Sequence, residues 1–271
     1  MANLYANHDD QADGLRRIMA GPQPRVFSVL SASDGFDKSR MLINLAVSLQ
    51  RQGSEVLVIN ADSRQSMQAY GVSGLNPLSA VAADQASLKG AIRAAGQGFS
   101  VAQLMTVKQL RSGMTQEVNH ALNKLLADLA HQFDVLLVDA ELTGEDTLPL
   151  SMLNEGEIVI QLNNHPDAIK QAYCQIKQVY NQLGCRSFGV LMTDVQATEA
   201  ERLFNHLSQV ARRYLSVRLD YMGSIPPDEY FKQASKLGRP VVEAFPRALA
   251  STAFKDLAKR FDFGRDACVA G

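Results

Sequence analysis

Four residues of this sequence carry the side chains that phosphoryl transfer from a nucleotide requires. Lys38 and Ser39 lie at the start of a segment with helical periodicity, and Asp62 and Asp139 each follow a run of valine, isoleucine and leucine. A lysine can hold phosphate oxygens, a hydroxyl and a carboxylate can bind Mg²⁺, and a second carboxylate can act near the attacking water. Their order along the chain is typical of such a site, with Asp62 as the candidate catalytic residue and with Ser39 and Asp139 as the candidate Mg²⁺ ligands.

The loop before Lys38 has the layout of a phosphate-binding loop but lacks its glycines. Residues 31–39 read SASDGFDKS, whereas a Walker A loop reads GxxxxGK[ST], so Ala32 and Asp37 stand at the two glycine positions. Glycines let backbone N–H groups close around phosphate oxygens, and side chains crowd such a loop. On the loop alone, a nucleotide site, the remains of one and a chance run all stay open. The residues that would surround a bound nucleotide are Ser33, Asp34, Gly35, Phe36, Asp37, Lys38, Ser39 and Asp139.

Short apolar segments alternate with helical segments, and this alternation predicts one doubly wound α/β domain. Several apolar segments are nearly continuous in valine, isoleucine and leucine, which is typical of parallel strands covered by helices on both faces. Ligands bind such sheets at the carboxyl ends of the strands, where the loop lies. We predict strands at 25–30, 55–60, 99–105, 135–139, 157–162, 188–193 and 219–225, and helices at 38–52, 115–131, 167–183 and 197–214.

The two ends of the chain differ from this pattern. Residues 1–24 are polar and finish in GPQP, which indicates an N-terminal arm that a linker joins to the first strand. Residues 25–263 form the predicted α/β domain, and residues 264–271 are expected to be a frayed tail. The last helical stretch carries Phe254, Leu257 and Phe261, which we interpret as core side chains and not as a membrane-binding face.

Composition excludes several classes of protein. The 271 residues carry a net charge of −1, so we expect no direct nucleic-acid binding. Three cysteines without CxxC spacing fit a reducing cytoplasm and argue against zinc, and the five scattered histidines form no HxxxH pair. No apolar run reaches the ~18 residues of a membrane span, and the polar N-terminus is unlike a secretory signal. We therefore expect a cytoplasmic protein.

With these residues in place, the chain resembles the MinD/ParA branch of P-loop ATPases and, within it, the FlhG (FleN, YlxH) regulators of flagellar number. The family loop KGGxGKT corresponds to SDGFDKS, and the family helix and strand that follow correspond to INLAVSLQRQGSEVLVINAD. The most specific match is N-terminal, where DQADGLRR, from Asp10 to Arg17, has the form of the family's DQAxGLRR. The similarity covers roughly residues 9–261.

The resemblance implies a mostly parallel P-loop NTPase fold of the MinD type, with ATP or ADP and Mg²⁺ at the loop. This chain departs from the family where Ser33 replaces the lysine that reaches across a dimer, Asn60 replaces the first aspartate of DxD, and Thr193 replaces the adenine-contacting asparagine. A carboxylate ~5 Å from a phosphate charge repels it by roughly 3 kcal/mol at an effective dielectric constant of ~20. Because Asp34 and Asp37 stand at loop glycines, we expect weak ATP binding, weaker hydrolysis and a monomer unless ATP binds.

By resemblance, the protein works through contacts with other proteins. The implied partners are FlhF, a signal-recognition-type GTPase, and a flagellar master transcription activator. The implied location is the cytoplasm, at the cell pole or the inner membrane surface, with weak membrane association. The candidate partner-binding residues are those of the N-terminal motif, namely Asp10, Gln11, Ala12, Gly14, Leu15, Arg16 and Arg17.

Two other functions stay open on the sequence. The first is a working ATPase switch that dimerises on ATP and cycles to the membrane. The lysine, the serine and the two aspartates described above favour it, whereas the substitutions in the loop count against it. The second is a ParA-like protein associated with chromosomes or cellulose, which the motif DQADGLRR disfavours.

Overall fold

The computed structural model describes residues 25–33 and 35–263; of residues 35–37, 262 and 263 it describes the backbone alone. The predicted arm 1–24, the predicted tail 264–271 and Asp34 lie outside the described residues. The strands are β1 (Arg25–Ser31), β2 (Val56–Ala61), β3 (Ile92–Ala94), β4 (Ser100–Gln103), β5 (Val135–Ala140), β6 (Glu157–Leu162), β7 (Phe188–Thr193) and β8 (Leu219–Ile225).

These strands form one sheet in the order β3-β4-β2-β5-β1-β6-β7-β8. Every neighbouring pair runs parallel except β3 and β4, which run antiparallel. The mostly parallel sheet that the sequence predicts is thus confirmed. The antiparallel β3 was not predicted, because three residues with two exposed side chains carry no apolar pattern.

Helices cover both faces of the sheet, as the doubly wound arrangement requires. Along β1, Val26 and Leu30 belong to one apolar core, and Phe27 and Val29 belong to the other. The helices are α1 (Gly35–Gln50), α2 (Leu78–Ala82), α3 (Leu88–Ala91), α4 (Val107–Ser112), α5 (Gln116–Ala130), α6 (Pro166–Leu183), α7 (Ala197–Leu215), α8 (Glu229–Lys236), α9 (Val241–Ala244) and α10 (Leu249–Phe263), with 3₁₀ turns at Met67–Tyr70 and Ser151–Asn154. Side chains of α1 and α10 fill the core that Phe27 and Val29 enter, and side chains of α5, α6 and α7 fill the other.

The predicted bounds are close to the observed ones in the centre of the sheet. β6, β7 and β8 begin and end at the predicted residues, and Thr115 caps α5 by accepting a hydrogen bond from the Val118 amide at 3.5 Å. α1 differs, because it begins at Gly35, three residues before the predicted start at Lys38. Lys38 therefore lies inside the first turn of the helix and not at its end.

The last helix packs into the protein. Phe254, Leu257 and Phe261 of α10 are buried, and the Phe261 ring centroid lies 4.5 Å from that of Phe27 on β1. The interpretation of these residues as core side chains is confirmed. Across the described residues, none of the helices is both long and apolar enough to cross a membrane.

The sheet order brings the candidate site residues together. β5 lies between β2 and β1, and Asp139 is paired in register with Asn60 on one side and Val29 on the other. The carboxyl ends of these three strands therefore meet at one edge, and the residues that follow β1 and β2 begin beside Asp139.

Candidate functional site

Lys38 is the centre of a buried ionic cluster. Its side chain is fully buried, and its Nζ lies 2.8 Å from Asp62 Oδ2 and 2.5 Å from Asp139 Oδ1. The same ammonium donates a hydrogen bond to the Ala140 carbonyl oxygen at 2.7 Å. The lysine that the sequence predicts for a phosphate is therefore bound by three oxygen atoms of the protein itself.

Asp62 is held by a second cation, Arg64. The Arg64 guanidinium donates to both carboxylate oxygens of Asp62, at 2.9 and 2.7 Å, and the Arg64 amide donates to Oδ1 at 2.9 Å. Burial alone would raise the pKa of the Asp62 carboxyl, but the hydrogen bonds and charges of Arg64 and Lys38 together hold this pKa well below its usual value. Asp62 is thus a stable carboxylate in the folded protein.

Asp139 has a different environment, although it shares Lys38. Tyr70, whose ring is also buried, donates a hydrogen bond from its hydroxyl to Asp139 Oδ2. Burial raises the pKa of the Asp139 carboxyl, and this influence outweighs the opposing charge of Lys38 and the hydrogen bonds from Lys38 and Tyr70. Burial and the neighbouring carboxylate likewise raise the pKa of the Tyr70 hydroxyl well above its usual value, so Tyr70 serves as a donor.

Ser39 and Ser33 lie on either side of the loop. The Ser39 side chain is buried, and its hydroxyl donates to Gln65 Oε1 at 3.1 Å. Ser33 lies two residues after the end of β1, and its amide donates to the Ser31 hydroxyl at 3.1 Å. Of Gly35, Phe36 and Asp37 the structure describes the backbone alone. The predicted site residues that lie outside the described residues are Asp34 and the motif residues Asp10, Gln11, Ala12, Gly14, Leu15, Arg16 and Arg17.

Thr193, which replaces the adenine-contacting asparagine of the family, lies in a second cluster of hydrogen-bonded polar side chains. Gln161 on β6 is buried, its Oε1 lies 2.5 Å from the Ser31 hydroxyl, and its Nε2 donates to the Thr193 hydroxyl at 2.7 Å. The Gln175 amide donates to the Ser31 carbonyl oxygen at 2.9 Å. Thr193 is therefore tied to the end of β1 through a glutamine.

Sequence patterns did not lead us to predict a role in the site for Tyr70, Arg64 or Gln161. Tyr70 lies in a 3₁₀ turn, and Arg64 lies in the loop after β2, where no periodicity reports the direction of a side chain. Gln161 offered one usable signal, because it follows the apolar run IVI of β6, and a polar residue in such a run must find a partner when it is buried.

The oxygen atoms at the site are of the kind that bind a divalent cation. Ser39 offers a hydroxyl, and Asp139 offers its buried Oδ1, which lies 2.5 Å from the Lys38 ammonium. Magnesium in nucleotide sites uses one or two such protein ligands and takes its other oxygens from phosphate and water. Within the described residues, no group of three or more His, Cys, Asp or Glu side chains is placed to hold a metal ion by itself.

Comparison with known proteins identifies relatives of the whole domain. The model of the family described as the CobQ/CobB/MinD/ParA nucleotide binding domain matches residues 27–241. The antiactivator FleN of Pseudomonas aeruginosa is 28% identical over 242 residues, which cover 88% of this chain and 86% of that protein.

Solved structures share the fold. MinD of Pyrococcus horikoshii, in complex with Mg-ADP, is 21% identical, with a TM-score of 0.63 over 91% of this chain and 98% of that one. MinD in the MinC:MinD complex of Aquifex aeolicus is 18% identical, with a TM-score of 0.64 over 89% of this chain and 96% of that one.

The first prediction concerns the stability of the ionic cluster. Lys38→Met removes the ammonium and leaves two carboxylates facing each other in the interior, so it should lower the free energy of unfolding by about 3–5 kcal/mol. Adding Asp139→Asn removes one of these carboxylates and should recover part of the loss. Urea denaturation followed by circular dichroism measures both effects.

Lys232→Met is the matched control, because Lys232 forms an exposed ion pair with Glu229 at 2.8 Å. It should leave the urea midpoint nearly unchanged. A Lys38→Met protein as stable as this control would show that Lys38 contributes no net stabilisation in the interior.

The second prediction follows from the lowered pKa of Asp62. Because the folded-state pKa lies below the unfolded value of ~3.9, this carboxylate stabilises the protein above about pH 4 and loses that contribution as the pH falls further. Asp62→Asn should therefore give a flatter dependence of the free energy of unfolding on pH below about pH 4. Parallel slopes for the wild type and for Asp62→Asn between about pH 5 and about pH 2.5 would contradict this interpretation.

Proposed function

The chain belongs to the CobQ/CobB/MinD/ParA nucleotide binding domain family, and we propose that it is a regulator of flagellar number and placement that acts through protein contacts. The likeness to the antiactivator FleN supports this proposal, because it extends over most of both chains. An antiactivator restrains a transcription activator, so a flagellar master activator is one proposed partner. An FlhF-type GTPase is the other, since DQADGLRR has the form of the motif that such regulators carry.

ATP or ADP with Mg²⁺ is the proposed cofactor, at weak affinity. In the proposed site, residues 33–37 surround the phosphates, Lys38 contacts them, Ser39 and Asp139 bind Mg²⁺, and Asp62 acts near the attacking water. The single observation that supports weak binding is the position of the Lys38 ammonium between Asp62 and Asp139. A phosphate must compete with both carboxylates for this lysine, and any carboxylate that it leaves unpaired is already buried.

A working ATPase switch is the second candidate. Lys38, Ser39, Asp62 and Asp139 converge at the carboxyl edge of the sheet, which is the arrangement such a switch needs. MinD of Pyrococcus horikoshii, which shares the fold, holds Mg-ADP. In this candidate the protein forms a homodimer on ATP and associates with the inner membrane surface at the cell pole; in the first it stays a monomer in the cytoplasm.

The third prediction separates these candidates. Calorimetric titration of the full chain with Mg-ATP should give a dissociation constant far weaker than micromolar, with turnover near background. Asp34→Gly combined with Asp37→Gly should raise the affinity, because each carboxylate is expected to weaken binding by up to about a hundredfold. Asp34→Asn with Asp37→Asn is the matched control, which removes the charges but keeps the side chains.

An equal gain in the two double variants would assign the effect to charge, and a gain in the glycine variant alone would assign it to the backbone. Micromolar affinity in the wild type, with turnover that Asp62→Ala abolishes, would favour the ATPase switch instead. So would a doubling of the mass in light scattering when Mg-ATP is added.

The fourth prediction tests the proposed GTPase partner. The full chain should stimulate GTP hydrolysis by a purified FlhF-type GTPase without ATP, and deletion of residues 1–20 should abolish the stimulation. Leu15→Ala removes an apolar contact and Arg16→Ala removes a planar donor for carboxylates or phosphates. Each should weaken the complex roughly tenfold to a hundredfold.

Asn3→Ala, which precedes the motif, is the control and should leave the stimulation unchanged. A peptide of residues 1–20 should retain much of the effect. GTP turnover that the full chain leaves unaltered, or that survives the deletion, would rule out the arm as the contact with this partner.

A further inference from the structure

A groove of about 400 Å³ runs along β8, the last strand of the sheet. In the described sheet β8 pairs with β7 alone, so it is an edge strand. One wall of the groove is α10, and the other is the start of α7. Among the described residues that line it, none belongs to the phosphate loop, to the ionic cluster or to the polar cluster of Thr193. The groove is therefore separate from the predicted nucleotide site.

One side of α10 gives the groove an apolar strip. Leu249, Ala253 and Leu257 follow each other at intervals of four residues, so they lie on one face of the helix, and all three line the groove. Leu249 is 66% exposed, the largest exposed fraction of any large apolar side chain that the structure describes. A strip of this kind suits the apolar face of a second helix.

The backbone at the edge of β8 is partly covered. Arg260 donates from Nη1 to the carbonyl oxygens of Tyr221 and Met222, at 3.3 Å each, and its guanidinium lies 5.9 Å from the centre of the Tyr221 ring. The register between β7 and β8 also shifts here, between Val190 and Leu191 of β7. Charged side chains and bulges are devices that keep a further strand from pairing with an edge. The groove therefore fits a helix better than an added strand.

The N-terminal arm joins β1 beside the lower end of the groove, at the amino edge of the sheet. Arg25, the first described residue, donates a hydrogen bond from its guanidinium to the carbonyl oxygen of Phe261, which directly follows the lining residue Arg260. The face of α10 that lines the groove is about 16 Å long, and residues 9–19 would cover the same length as a helix. Residues 20–24 can span about 16–18 Å, which is enough to connect such a helix to β1.

The charges along the groove match those of the arm in this direction. Glu201 and Asp256 contribute carboxylates from the two walls. Beside the carboxyl end of β8, α7 begins at Gln196, whose side chain does not cap the helix. In the arm, the arginines of residues 16–17 are nearer to β1 than the aspartates of residues 9–13. A helix that runs up the groove from β1 thus places its basic end beside the carboxylates and its acidic end toward a helix N-terminus, which attracts negative charge.

We propose that residues 9–19 of the N-terminal arm bind as a helix in this groove of the same chain. Leu15, Ile18 and Met19 share one face of such a helix, because they lie three and four residues apart, and this face packs on the apolar strip of α10. Arg16, at the margin of the face, lies beside the acidic groove residues. Because the arm is tethered, it meets the groove at a high effective concentration. A partner that takes up the arm must first displace it, so the groove controls how readily the arm is available.

The test uses the full chain and a reporter that the sequence makes unique. The protein contains no tryptophan, so Leu15→Trp supplies a single indole fluorophore in the arm. Ala253→Arg places a long cation on the apolar strip, opposite the arginines of the arm, and should block the groove. The reporter should emit at shorter wavelength, and acrylamide should quench it less, in the chain with an open groove than in the chain that also carries Ala253→Arg. Asp256→Arg should shift the emission in the same direction as Ala253→Arg, because it removes a carboxylate and adds a cation.

Ala127→Arg is the matched control, because Ala127 is a half-buried alanine of α5 that does not line the groove. It should leave the emission of the reporter unchanged, and thermal unfolding checks that Ala127→Arg and Ala253→Arg both fold. Hydrogen exchange followed by mass spectrometry is a second measurement that does not need the reporter. Residues 9–19 of the unaltered chain should exchange roughly tenfold more slowly than the same residues in the chain with Ala253→Arg.

Either of two outcomes would contradict the proposal. If emission and exchange are the same in Ala253→Arg and Ala127→Arg, the arm lies outside the groove, and the groove is left for another protein. If the shift to shorter wavelength is lost on dilution, the arm binds a second copy and not its own chain. No GTPase and no nucleotide enters these measurements, so a failure here is distinct from a failure of the proposed function.

Discussion

The Lys38 side chain is fully buried, and the side chains at the carboxyl edge of the sheet are arranged around its ammonium. Removal of an ion from water costs several kcal/mol, so a buried ammonium is stable only where opposite charges and acceptors surround it closely. Asp62, Asp139 and the Ala140 carbonyl meet this requirement. They can do so only because β2, β5 and β1 are neighbours whose carboxyl ends are level. The order of the central strands is thus a condition of the cluster.

The segment that follows β2 binds both carboxylates of the ionic cluster. Arg64 binds Asp62, and Tyr70 donates to Asp139, so both ends of the segment are attached to the cluster. Ser66 caps the turn by accepting from the Gln68 amide at 3.2 Å. Gly71 ends it with a φ of 73°, a left-handed conformation that glycine adopts without strain. One short segment therefore holds both carboxylates of the ionic cluster.

The sequence predicts the scaffold and the positions of the site better than the contacts within it. The strands from β6 to β8 were predicted to the residue, because the apolar segments have clear ends. The place of Lys38, Asp62 and Asp139 followed from their positions after strands. The pairing of Lys38 with both aspartates did not follow, because spacing fixes where a Cα lies and not whether a flexible side chain turns inward. Tyr70 and Arg64 belong to a loop, where no periodicity exists to be read.

The ionic cluster sets the charge that an anion meets on the side of α1 that faces the sheet. In the cluster, Lys38 and Arg64 face the carboxylates of Asp62, Asp139 and Glu141, so among these described side chains negative charge exceeds positive charge. Residues 38 and 40 lie ~200° apart around a helix, so they project from nearly opposite sides of α1. The first turns of α1 thus direct Lys38 toward the sheet and Arg40 away from it, so a phosphate at the edge of the sheet must compete for Lys38 with the carboxylates that already hold it.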